Sequence, residues 1–562
     1  MKVLGISCFY HDSAVCAIED SRILFAIHEE RLSRLKHDAR FPVLAVAKAL
    51  EFCRWKIEEI DEIVFYEEPQ TKIERIMDQI VDGWPHTWKM FSSELPKFIR
   101  DKYPVGKIIK DLLRFDGAVS CCQHHRAHAA AAFYTSSYDD ALVITVDGVG
   151  EYETVAVHEG VGNRLEKRCA IHFPDSLGLL YSVFTDYLGF EVNEGEYKVM
   201  GLASYGQPKY YDVLVKNIIS FQDDGSFRLN LRYFDFNNSR CHYSGRLVSL
   251  LLIEPRRPQD PVGRAHEDLA ASVQKLLEDS LTHMLSALLM KYPHKNVCLG
   301  GGVALNCTAN ASIVRRLGVG VHIHPAAGDA GGALGAALDR MVQLRNVRGI
   351  ARYNFSSYLG NEYTDLYIEN TLKINKIAYI KSGRIAEDIA QHLAEGRIVA
   401  VMQGRDEWGP RALGNRSILA DPRLPGMKGH LNAKIKFREE FCPFAPMILE
   451  EYYGDYFETL GMQESPHMLF THKALKAELV AAAVHVDQTS RVQTVSCKQN
   501  PFLYAVLEEF YRLTGVPVLI NTSFNLRGEP IVSSPSDALK TFYASGINVL
   551  ALGEYFVVKD TA

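Results

Sequence analysis

The first 27 residues, MKVLGISCFYHDSAVCAIEDSRILFAI, carry the pattern that decides the fold of this chain. Three apolar runs, residues 3–9, 14–18 and 23–27, are separated by the short polar turns 11–13 and 19–21. Apolar runs of this length between turn-forming residues are typical of neighbouring strands. The sequence therefore predicts a three-stranded meander at the start of the chain.

The pattern then alternates between helix and strand. Helical spacing covers residues 42–55, 123–136, 266–290, 303–317 and 385–396, and strand-like runs cover residues 63–66, 141–146, 296–299 and 398–402. Strands that alternate with helices and end in glycine-rich corners indicate an α/β fold. The polar, aromatic-rich stretch 349–361 is predicted to be a linker, so we expect two domains, residues 1–350 and 361–562. The sequence shows no internal repeat.

Composition excludes several classes of protein. The chain has 562 residues, 47% of them hydrophobic, which is enough for two domains with full-sized cores. The net charge of −6 and the pI near 6.4 argue against a nucleic-acid partner, because extended nucleic-acid binding requires a basic face. Eleven scattered cysteines with no C-x-x-C spacing predict reduced thiols. The start of the chain lacks signal-peptide features and no apolar run is long enough to span a bilayer, so we expect a cytoplasmic protein with no membrane partner.

The stretch QHHRAH, residues 123–128, predicts a metal site. His124 and His128 are four residues apart, so in a helix their side chains share one face and can grip one cation. Asp147 and Asp329, which lie beside glycines near apolar runs, are the candidate further ligands. Two histidines with carboxylates suit Fe(II), Mn or Zn. The alternative is that both histidines are hydrogen-bonded or solvated.

Three glycine corners predict a nucleotide site. They are residues 147–150, 300–306 and 328–335, and their backbone N–H groups could approach a phosphate closely. Glycines at such turns serve close packing about as often, which is the alternative for each corner taken alone. The spacing of a dinucleotide fold is absent, so ATP is the expected nucleotide. The expected site comprises Asp147, Gly148, Gly300, Gly301, Gly302 and Asn306, and Lys36 could meet a phosphate unless it is simply solvated.

The second half of the chain predicts an anion pocket. A phosphate dianion requires fixed cationic donors, and five are available. They are Arg411, Arg416, Lys436, Arg438 and Arg491. The amide and hydroxyl groups of Asn521, Ser523 and Asn525 follow an apolar run, at a strand end where small ligands commonly bind. Solvated loop charges are the alternative.

Several longer motifs resemble one known family. They are Tyr10-His-Asp-Ser-Ala14, His28-Glu-Glu-Arg-Leu-Ser-Arg34, the 123–128 stretch, Val199-Met-Gly-Leu-Ala-Ser-Tyr-Gly206, Gly300-Gly-Gly-Val-Ala-Leu-Asn306, Trp408-Gly-Pro-Arg-Ala-Leu-Gly-Asn-Arg-Ser417 and Asn521-Thr-Ser-Phe-Asn525. The family is that of nodulation protein U and the antibiotic O-carbamoyltransferases of the tobramycin and cephem type. Because the motifs span nearly the whole chain, the resemblance covers both predicted domains.

The resemblance implies an N-terminal actin-like, sugar-kinase-type domain and a C-terminal YrdC-like α/β domain. It also implies a reaction in which carbamoyl phosphate and ATP give carbamoyl adenylate, whose carbamoyl group passes to a hydroxyl of a small-molecule acceptor. Such acceptors in this family include antibiotics. We further expect a homodimer. Two rival functions are an RNA-modifying threonylcarbamoyl-type transferase and a non-enzymatic ATP-dependent switch.

Residue roles follow from the same resemblance. His124, His128, Asp147 and Asp329 resemble the family's iron site, Lys36 falls where a lysine contacts ATP, and His11 falls where a histidine deprotonates the acceptor. Arg411, Lys436, Arg491, Asn521 and Ser523 match positions that line the carbamoyl phosphate site. Cys442 departs from the pattern, because an arginine is expected there. Without the resemblance, a hydrogen-bonded structural histidine is the favoured interpretation of His11.

Overall fold

The computed structural model describes residues 1–20, 22–236, 242–345 and 355–559, and the chain forms two compact units. The first unit consists of Met1–Ala26 and Ala39–Phe355, and the second of Ile27–Asp38 and Ser356–Ala562. The predicted linker begins at residues 349–354, which lie outside the described residues. The assignment of Ile27–Asp38 to the second unit differs from the simple division expected from sequence.

Within the described residues, the strands fall into two sheets in the first unit, one sheet in the second, and two short hairpin-like pairs. In chain order they are β1 (Lys2–Ser7), β2 (Ala14–Glu19), β3 (Arg22–His28), β4 (Glu62–Phe65), β5 (Ala118–Cys121), β6 (Asp140–Val146), β7 (Glu153–Val161), β8 (Arg164–His172), β9 (Ile219–Phe221), β10 (Phe227–Leu229), β11 (Asn296–Gly300), β12 (Gly320–Ile323), β13 (Ile380–Lys381), β14 (Val399–Met402), β15 (Arg416–Ala420), β16 (Ala445–Leu449), β17 (His472–Lys473), β18 (Thr489–Ser490), β19 (Gln493–Val495), β20 (Val518–Ser523), β21 (Val549–Leu552) and β22 (Tyr555–Val558).

The α-helices vary from four to 28 residues. In chain order they are α1 (Glu29–Ser33), α2 (Val43–Cys53), α3 (Pro69–Asp82), α4 (Leu95–Asp101), α5 (Val105–Leu113), α6 (His124–Tyr134), α7 (Leu177–Tyr187), α8 (Glu196–Ala203), α9 (Tyr211–Asn217), α10 (Gly245–Leu251), α11 (Arg264–Lys291), α12 (Cys307–Leu317), α13 (Asp329–Arg345), α14 (Asp365–Ile374), α15 (Ile385–Ala394), α16 (Met427–Leu431), α17 (Tyr453–Tyr456), α18 (Pro501–Thr514) and α19 (Pro535–Tyr543). Among the described helices, none is both long and apolar enough to cross a membrane.

The two sheets of the first unit have the same topology. Their orders are β3-β2-β1-β4-β5 and β12-β11-β6-β7-β8. In each sheet the central strand, β1 or β6, pairs antiparallel with the next strand of its meander and parallel with a later one, β4 or β11. The predicted meander is confirmed, and this structural duplication fits the actin-like fold. The two sheets share the order and direction of their strands but not their amino-acid residues, so the sequence shows no matching repeat.

Most helices predicted for the first unit are confirmed, including the long α11 and the histidine-rich α6. The helix predicted over residues 303–317 is wrong in its first turn. Gly302–Leu305 forms a separate 3-10 turn, and α12 begins only at Cys307. The Asn306 side chain accepts a hydrogen bond from the N–H of Ala309 at 3.0 Å, so it caps the new helix at this break.

Small residues allow α13 to approach its neighbours very closely. A Cβ on Gly335 would lie 1.8 Å from the carbonyl oxygen of Ala127 in α6, and a Cβ on Gly5 would lie 1.9 Å from the carbonyl oxygen of Ala333. No real side chain tolerates such distances. Glycine at these two positions therefore sets how closely α13 packs against α6 and against strand β1.

The second unit is built on one mixed eight-stranded sheet of order β13-β22-β21-β14-β15-β20-β16-β19. Alternate residues of its central strands enter different hydrophobic clusters, with Ala400 in one and Val399 and Val401 in the other, as expected for a sheet covered on both faces. The predicted helix over residues 385–396 and strand over residues 398–402 are confirmed as α15 and β14. The α/β class is thus confirmed, and the YrdC-like assignment of this unit stays a prediction of the resemblance.

Gly335→Ala should destabilise the first unit although alanine is the better helix former. Overpacking of this kind costs roughly 1–3 kcal/mol, whereas Gly→Ala in an open helix position stabilises by roughly 0.5–1 kcal/mol. Chemical denaturation measures the difference. Gly245→Ala is the matched control, because its new Cβ meets nothing within 4 Å. Equal stability of the two variants would contradict the packing argument.

Candidate functional site

Four side chains of the first unit bring metal-ligating atoms together. His124 and His128 are in the first turns of α6, Asp147 follows β6 directly, and Asp329 begins α13. One ligand atom from each lies within 4.8 Å of the others, and all four side chains are largely buried. The structure therefore assembles the set that the sequence predicted from the i, i+4 histidine pair and the two aspartates.

The distances fit a divalent cation. The Nε2 atoms of His124 and His128 are 3.0 Å apart, and Asp147 Oδ2 is 3.1 and 3.2 Å from them. Asp329 Oδ1 is farther, 3.8 and 3.6 Å from the same nitrogens. Ligand atoms about 2.1 Å from a metal and at right angles to each other stand about 3.0 Å apart. Two imidazoles with two carboxylates suit Fe(II), Mn or Zn, and the donor set by itself does not choose among them.

When no cation is bound, the carboxylates of this cluster hold protons on its imidazoles. Burial is the largest influence on His128 and lowers its pKa, yet the carboxylates of Asp147 and Asp329 outweigh burial and raise the pKa to about 9. Burial alone would raise the pKa of Asp147, but hydrogen bonds from the two imidazoles hold it well below its usual range. A cation must displace these protons, so the two compete for the same atoms.

Glu151 is a buried carboxylate that sequence reasoning missed. Its Oε1 accepts the backbone N–H of His124 and that of Glu68, both at 2.7 Å, so it fixes the start of α6. Burial raises the pKa of Glu151. Close packing adds to this support, because a Cβ on Gly150 would lie 2.9 Å from His124 Cδ2. No sequence pattern marks Glu151, since its partners are backbone groups distant along the chain.

His11 lies beside the metal-ligating cluster. Its Nδ1 is 2.9 Å from Asp12 Oδ2, its Nε2 is 3.8 Å from Asp329 Oδ2, and its side chain is one quarter exposed. Burial lowers its pKa, but Asp329, Asp12 and Asp147 outweigh burial and raise the pKa to about 10. The imidazole is therefore protonated at neutral pH in this arrangement. Its exposure leaves it open to a substrate.

The glycine corners pack around the same cluster. Gly301 has φ 85°, and a Cβ there would lie 2.3 Å from the carbonyl oxygen of Val146, so packing alone explains this glycine. A Cβ on Gly302 would lie 3.1 Å from Asp147 Oδ1. At Gly148 an added Cβ would meet only Leu179 at 3.7 Å, so packing does not require glycine there. Close approach of a ligand is a reason for glycine at that position.

Two members of the predicted nucleotide set are placed differently from the rest. Asn306 caps α12, and its amide exchanges hydrogen bonds with the Gln274 amide at 3.0 and 3.1 Å. Lys36 belongs to the second unit, within Ile27–Asp38. Gly148, Gly300, Gly301 and Gly302, like Asn306, belong to the first unit together with Asp147.

Lys436 is the centre of the predicted anion pocket. It is only 5% exposed, and its ammonium group is surrounded by neutral acceptors of two residues. Its Nζ donates to Ser523 Oγ at 3.0 Å and Asn525 Oδ1 at 2.8 Å, and to the carbonyl oxygens of the same two residues. Burial, with the nearby charges of Arg438 and Lys36, holds the pKa of Lys436 well below its usual range. This charge lacks a carboxylate partner at hydrogen-bonding distance among the contacts described.

Hydrogen bonds join the segments that carry the other predicted pocket residues. Asn521 Nδ2 donates to Gln493 Oε1 at 2.7 Å and to the carbonyl oxygen of Ala412 at 3.2 Å. These acceptors lie next to Arg411 and two residues after Arg491, and both arginines are half-buried. Asn521 Oδ1 is buried and has no hydrogen-bond partner in the structure. The strand end thus offers a vacant acceptor between two arginine-bearing segments.

Arg416, a candidate donor in the sequence analysis, is instead structural. It is completely buried, and its Nη2 lies 2.6 Å from Asp406 Oδ1. Its guanidinium also donates to the carbonyl oxygens of Gln403 at 2.6 Å, Asn415 at 3.0 Å and Gly404 at 3.1 Å. The prediction was wrong here because sequence does not show that the donors are used within the loop.

The segment Ile27–Asp38 adds further cations to the second unit. Arg31 is buried and donates to the carbonyl oxygen of Gly409 at 3.0 Å. Arg34 donates to the carbonyl oxygens of Pro530 at 2.9 Å and Ile531 at 2.7 Å. These contacts join the segment to the loops that contain Gly409 and Pro530. Lys36, in the same segment, contributes to the lowered pKa of Lys436. Cys442, where an arginine was expected, is buried and supplies no positive charge.

Comparisons with known proteins agree over the whole chain. Two family models match, described as carbamoyltransferase N-terminus over residues 2–338 and carbamoyltransferase C-terminus over residues 390–559. Nodulation protein NolNO of Sinorhizobium fredii is 35% identical, with 99% of this chain and 80% of that protein covered. The 3'-hydroxymethylcephem-O-carbamoyltransferase of Amycolatopsis lactamdurans is 27% identical, with 97% of each covered. This chain is also similar to a solved structure of full-length HypF, with 12% identity, 63% of this chain and 47% of HypF covered, and a TM-score of 0.32.

His128→Ala should leave the fold intact and abolish tight metal binding, because only one imidazole and two carboxylates would remain to hold the metal. We expect the loss of affinity to exceed the ~10–100-fold typical of outer-shell changes. Metal titration by calorimetry, with elemental analysis of the purified protein, measures it. The exposed His86→Ala is the control. Unchanged metal affinity in the His128 variant would exclude this cluster as the site.

Sulfate affinity should fall as pH rises through the pKa of Lys436, at a pH below the ordinary lysine value of 10.5. The anion binds the ammonium form, so binding is fully present below that pKa and is lost above it. Sulfate has no titration of its own in this range, and calorimetry measures its binding. Lys436→Met should weaken binding and remove the pH dependence, whereas the exposed Lys434→Met should change neither. A pH-independent wild type would contradict the assignment.

Proposed function

The chain belongs to the carbamoyltransferase family, and we propose that it is an O-carbamoyltransferase that uses carbamoyl phosphate and ATP. The observation that carries this proposal is Lys436, a buried ammonium surrounded by neutral acceptors. A protein that buries such a charge pays a desolvation cost, which an anionic ligand would offset. Half-buried Arg411 and Arg491 on neighbouring segments suit the phosphate of carbamoyl phosphate.

The proposed first half-reaction occurs at this pocket. Water first hydrolyses carbamoyl phosphate to carbamate and inorganic phosphate. A carbamate oxygen then attacks the α-phosphate of ATP. Carbamoyl adenylate forms and pyrophosphate leaves. Lys436, Arg411 and Arg491 would hold the phosphate, Asn521 Oδ1 would accept from the carbamoyl amide, and Lys36 would meet the ATP phosphates. The role of Lys36 is supported by its place in the second unit.

The proposed second half-reaction occurs beside the metal-ligating cluster. An acceptor hydroxyl attacks the carbamoyl carbon, AMP leaves, and the hydroxyl proton passes to His11 Nε2. His124, His128, Asp147 and Asp329 would hold a divalent cation, proposed as Fe(II), whose charge would neutralise the leaving phosphate. With Asp147 and Asp329 engaged as ligands, their charge would hold the proton on His11 less strongly, while Asp12 would still accept from Nδ1. The imidazole would then be available as a base.

The acceptor is proposed to be a hydroxylated small molecule. The net charge of −6 argues against RNA. Incubation of the metal-loaded enzyme with ATP, carbamoyl phosphate and a panel of hydroxylated natural products tests this directly. Mass spectrometry should show the gain of one CONH unit on an acceptor. Transfer to tRNA, with none of the small molecules modified, would overturn the proposal.

His11→Asn should separate the two half-reactions. Transfer should slow by ~10²-fold or more, while pyrophosphate release from ATP and carbamoyl phosphate continues, because adenylate formation does not require removal of the acceptor proton. A strongly nucleophilic surrogate such as hydroxylamine should lose less rate than an alcohol. Pyrophosphate and carbamoylated product are measured side by side. Equal loss of both would place His11 in structure or ATP binding.

Lys436→Ala should show the opposite division. Pyrophosphate release should be lost, while chemically made carbamoyl adenylate should restore transfer to the acceptor, since the transfer site is built from residues of the other unit. Lys434→Ala is the control, because it changes an exposed lysine two residues away. Failure of the adenylate to restore transfer would contradict two separate sites.

A further inference from the structure

Three aromatic side chains form an exposed cluster on the first unit, far along the chain from the residues assigned above. Trp84, Trp88 and Phe91 are 54%, 58% and 43% exposed. Their ring centroids are 5.8 Å apart for the two tryptophans, and 6.3 and 5.9 Å from each tryptophan to Phe91. We call these three residues the aromatic patch. Large aromatic side chains in mutual contact at the surface mark an interaction site.

The patch belongs to a helical excursion between β4 and β5. This excursion includes α3, α4 and α5 and exposes further large apolar side chains, among them Val81 at 67% and Leu112 at 54%. Scattered single apolar residues are normal on a protein surface, but several on one excursion are not. The sequence did not reveal this, because the pattern of α3 and the following helices is that of ordinary amphipathic segments.

The part of the excursion that carries the aromatic patch, residues 83–114, is basic although the chain is acidic. Residues 83–114 contain seven Lys or Arg and three Asp or Glu, a net charge of +4, whereas the whole chain carries −6. Lys89 lies between Trp88 and Phe91, and Lys97, Lys107 and Lys110 are exposed on α4 and α5. Exposed tryptophans beside lysines are the composition of protein surfaces that insert into the headgroup region of a bilayer.

We propose that the aromatic patch and the exposed lysines of residues 83–114 dock the enzyme peripherally on an anionic lipid bilayer. The aromatic rings would enter the headgroup region while the lysines meet lipid phosphates. A second copy of this chain fits less well, since a two-fold contact would set the same basic surface against itself. The absence of a membrane partner expected from sequence rested on the lack of a spanning segment, which does not address peripheral binding.

Tryptophan fluorescence reports this contact selectively. The other two tryptophans, Trp55 and Trp408, are 7% and 0% exposed, so quenching by lipids brominated on the acyl chain will come from the patch. We expect quenching and co-sedimentation with vesicles of phosphatidylcholine and phosphatidylglycerol, and at least tenfold weaker binding to phosphatidylcholine alone. Trp84→Phe with Trp88→Phe should keep co-sedimentation and lose quenching.

Two variants test the two parts of the surface. Trp84→Ser, Trp88→Ser and Phe91→Ser together should abolish binding, and Lys97→Glu, Lys107→Glu and Lys110→Glu together should reduce binding to anionic vesicles at least tenfold. Met290→Ser with Ile374→Ser is the control, because both side chains are 80% exposed elsewhere. Each variant must keep the metal content of the wild type, as proof of folding.

Three results would overturn the proposal. They are no binding to either vesicle, equal binding to neutral and anionic vesicles, and a wild-type dimer that the serine variant converts to a monomer without any vesicle binding. The last result, measured by light scattering, would assign the patch to a second copy of this chain.

Discussion

The close contact between helices α6 and α13 is the constraint on which the first unit depends. Gly335 leaves no room for a Cβ against the Ala127 carbonyl oxygen, so the helices approach at backbone distance. This approach brings Asp329, at the start of α13, beside the imidazoles of His124 and His128 on α6. The strand end at Asp147 completes the set. A cluster of charges thus depends on alanine and glycine positions that carry no charge themselves.

The two units place their charges in opposite ways. In the first unit, imidazoles and carboxylates hold each other in a nearly balanced cluster, and protons occupy it when no cation does. In the second unit, Lys436 is buried among neutral acceptors with Arg438 and Lys36 nearby, which lowers its pKa, so a bound anion would favour its ammonium form. One site is therefore suited to a cation and the other to an anion, as the proposed two half-reactions need.

Local patterns in the sequence predicted more of the site than long-range ones. The i, i+4 histidine pair predicted a shared face because helix geometry fixes it, and the glycine-flanked aspartates followed from strand ends. Glu151 could not be predicted, because it binds backbone N–H groups of residues distant in sequence. Arg416 was assigned wrongly since its guanidinium is used within its own loop, by the Asp406 carboxylate and by carbonyl oxygens. The place of Lys36 in the second unit depends on packing that no local pattern carries.

Carbamoyl adenylate is the intermediate on which the proposed mechanism depends, and isotope exchange between labelled pyrophosphate and ATP tests it most directly. The experiment uses the metal-loaded enzyme with carbamoyl phosphate and without an acceptor. The mechanism predicts that label enters ATP, that exchange requires carbamoyl phosphate, and that it does not require the acceptor. Carbamoylation of an acceptor in the absence of ATP, or the lack of exchange in an enzyme that is active in transfer, would contradict it.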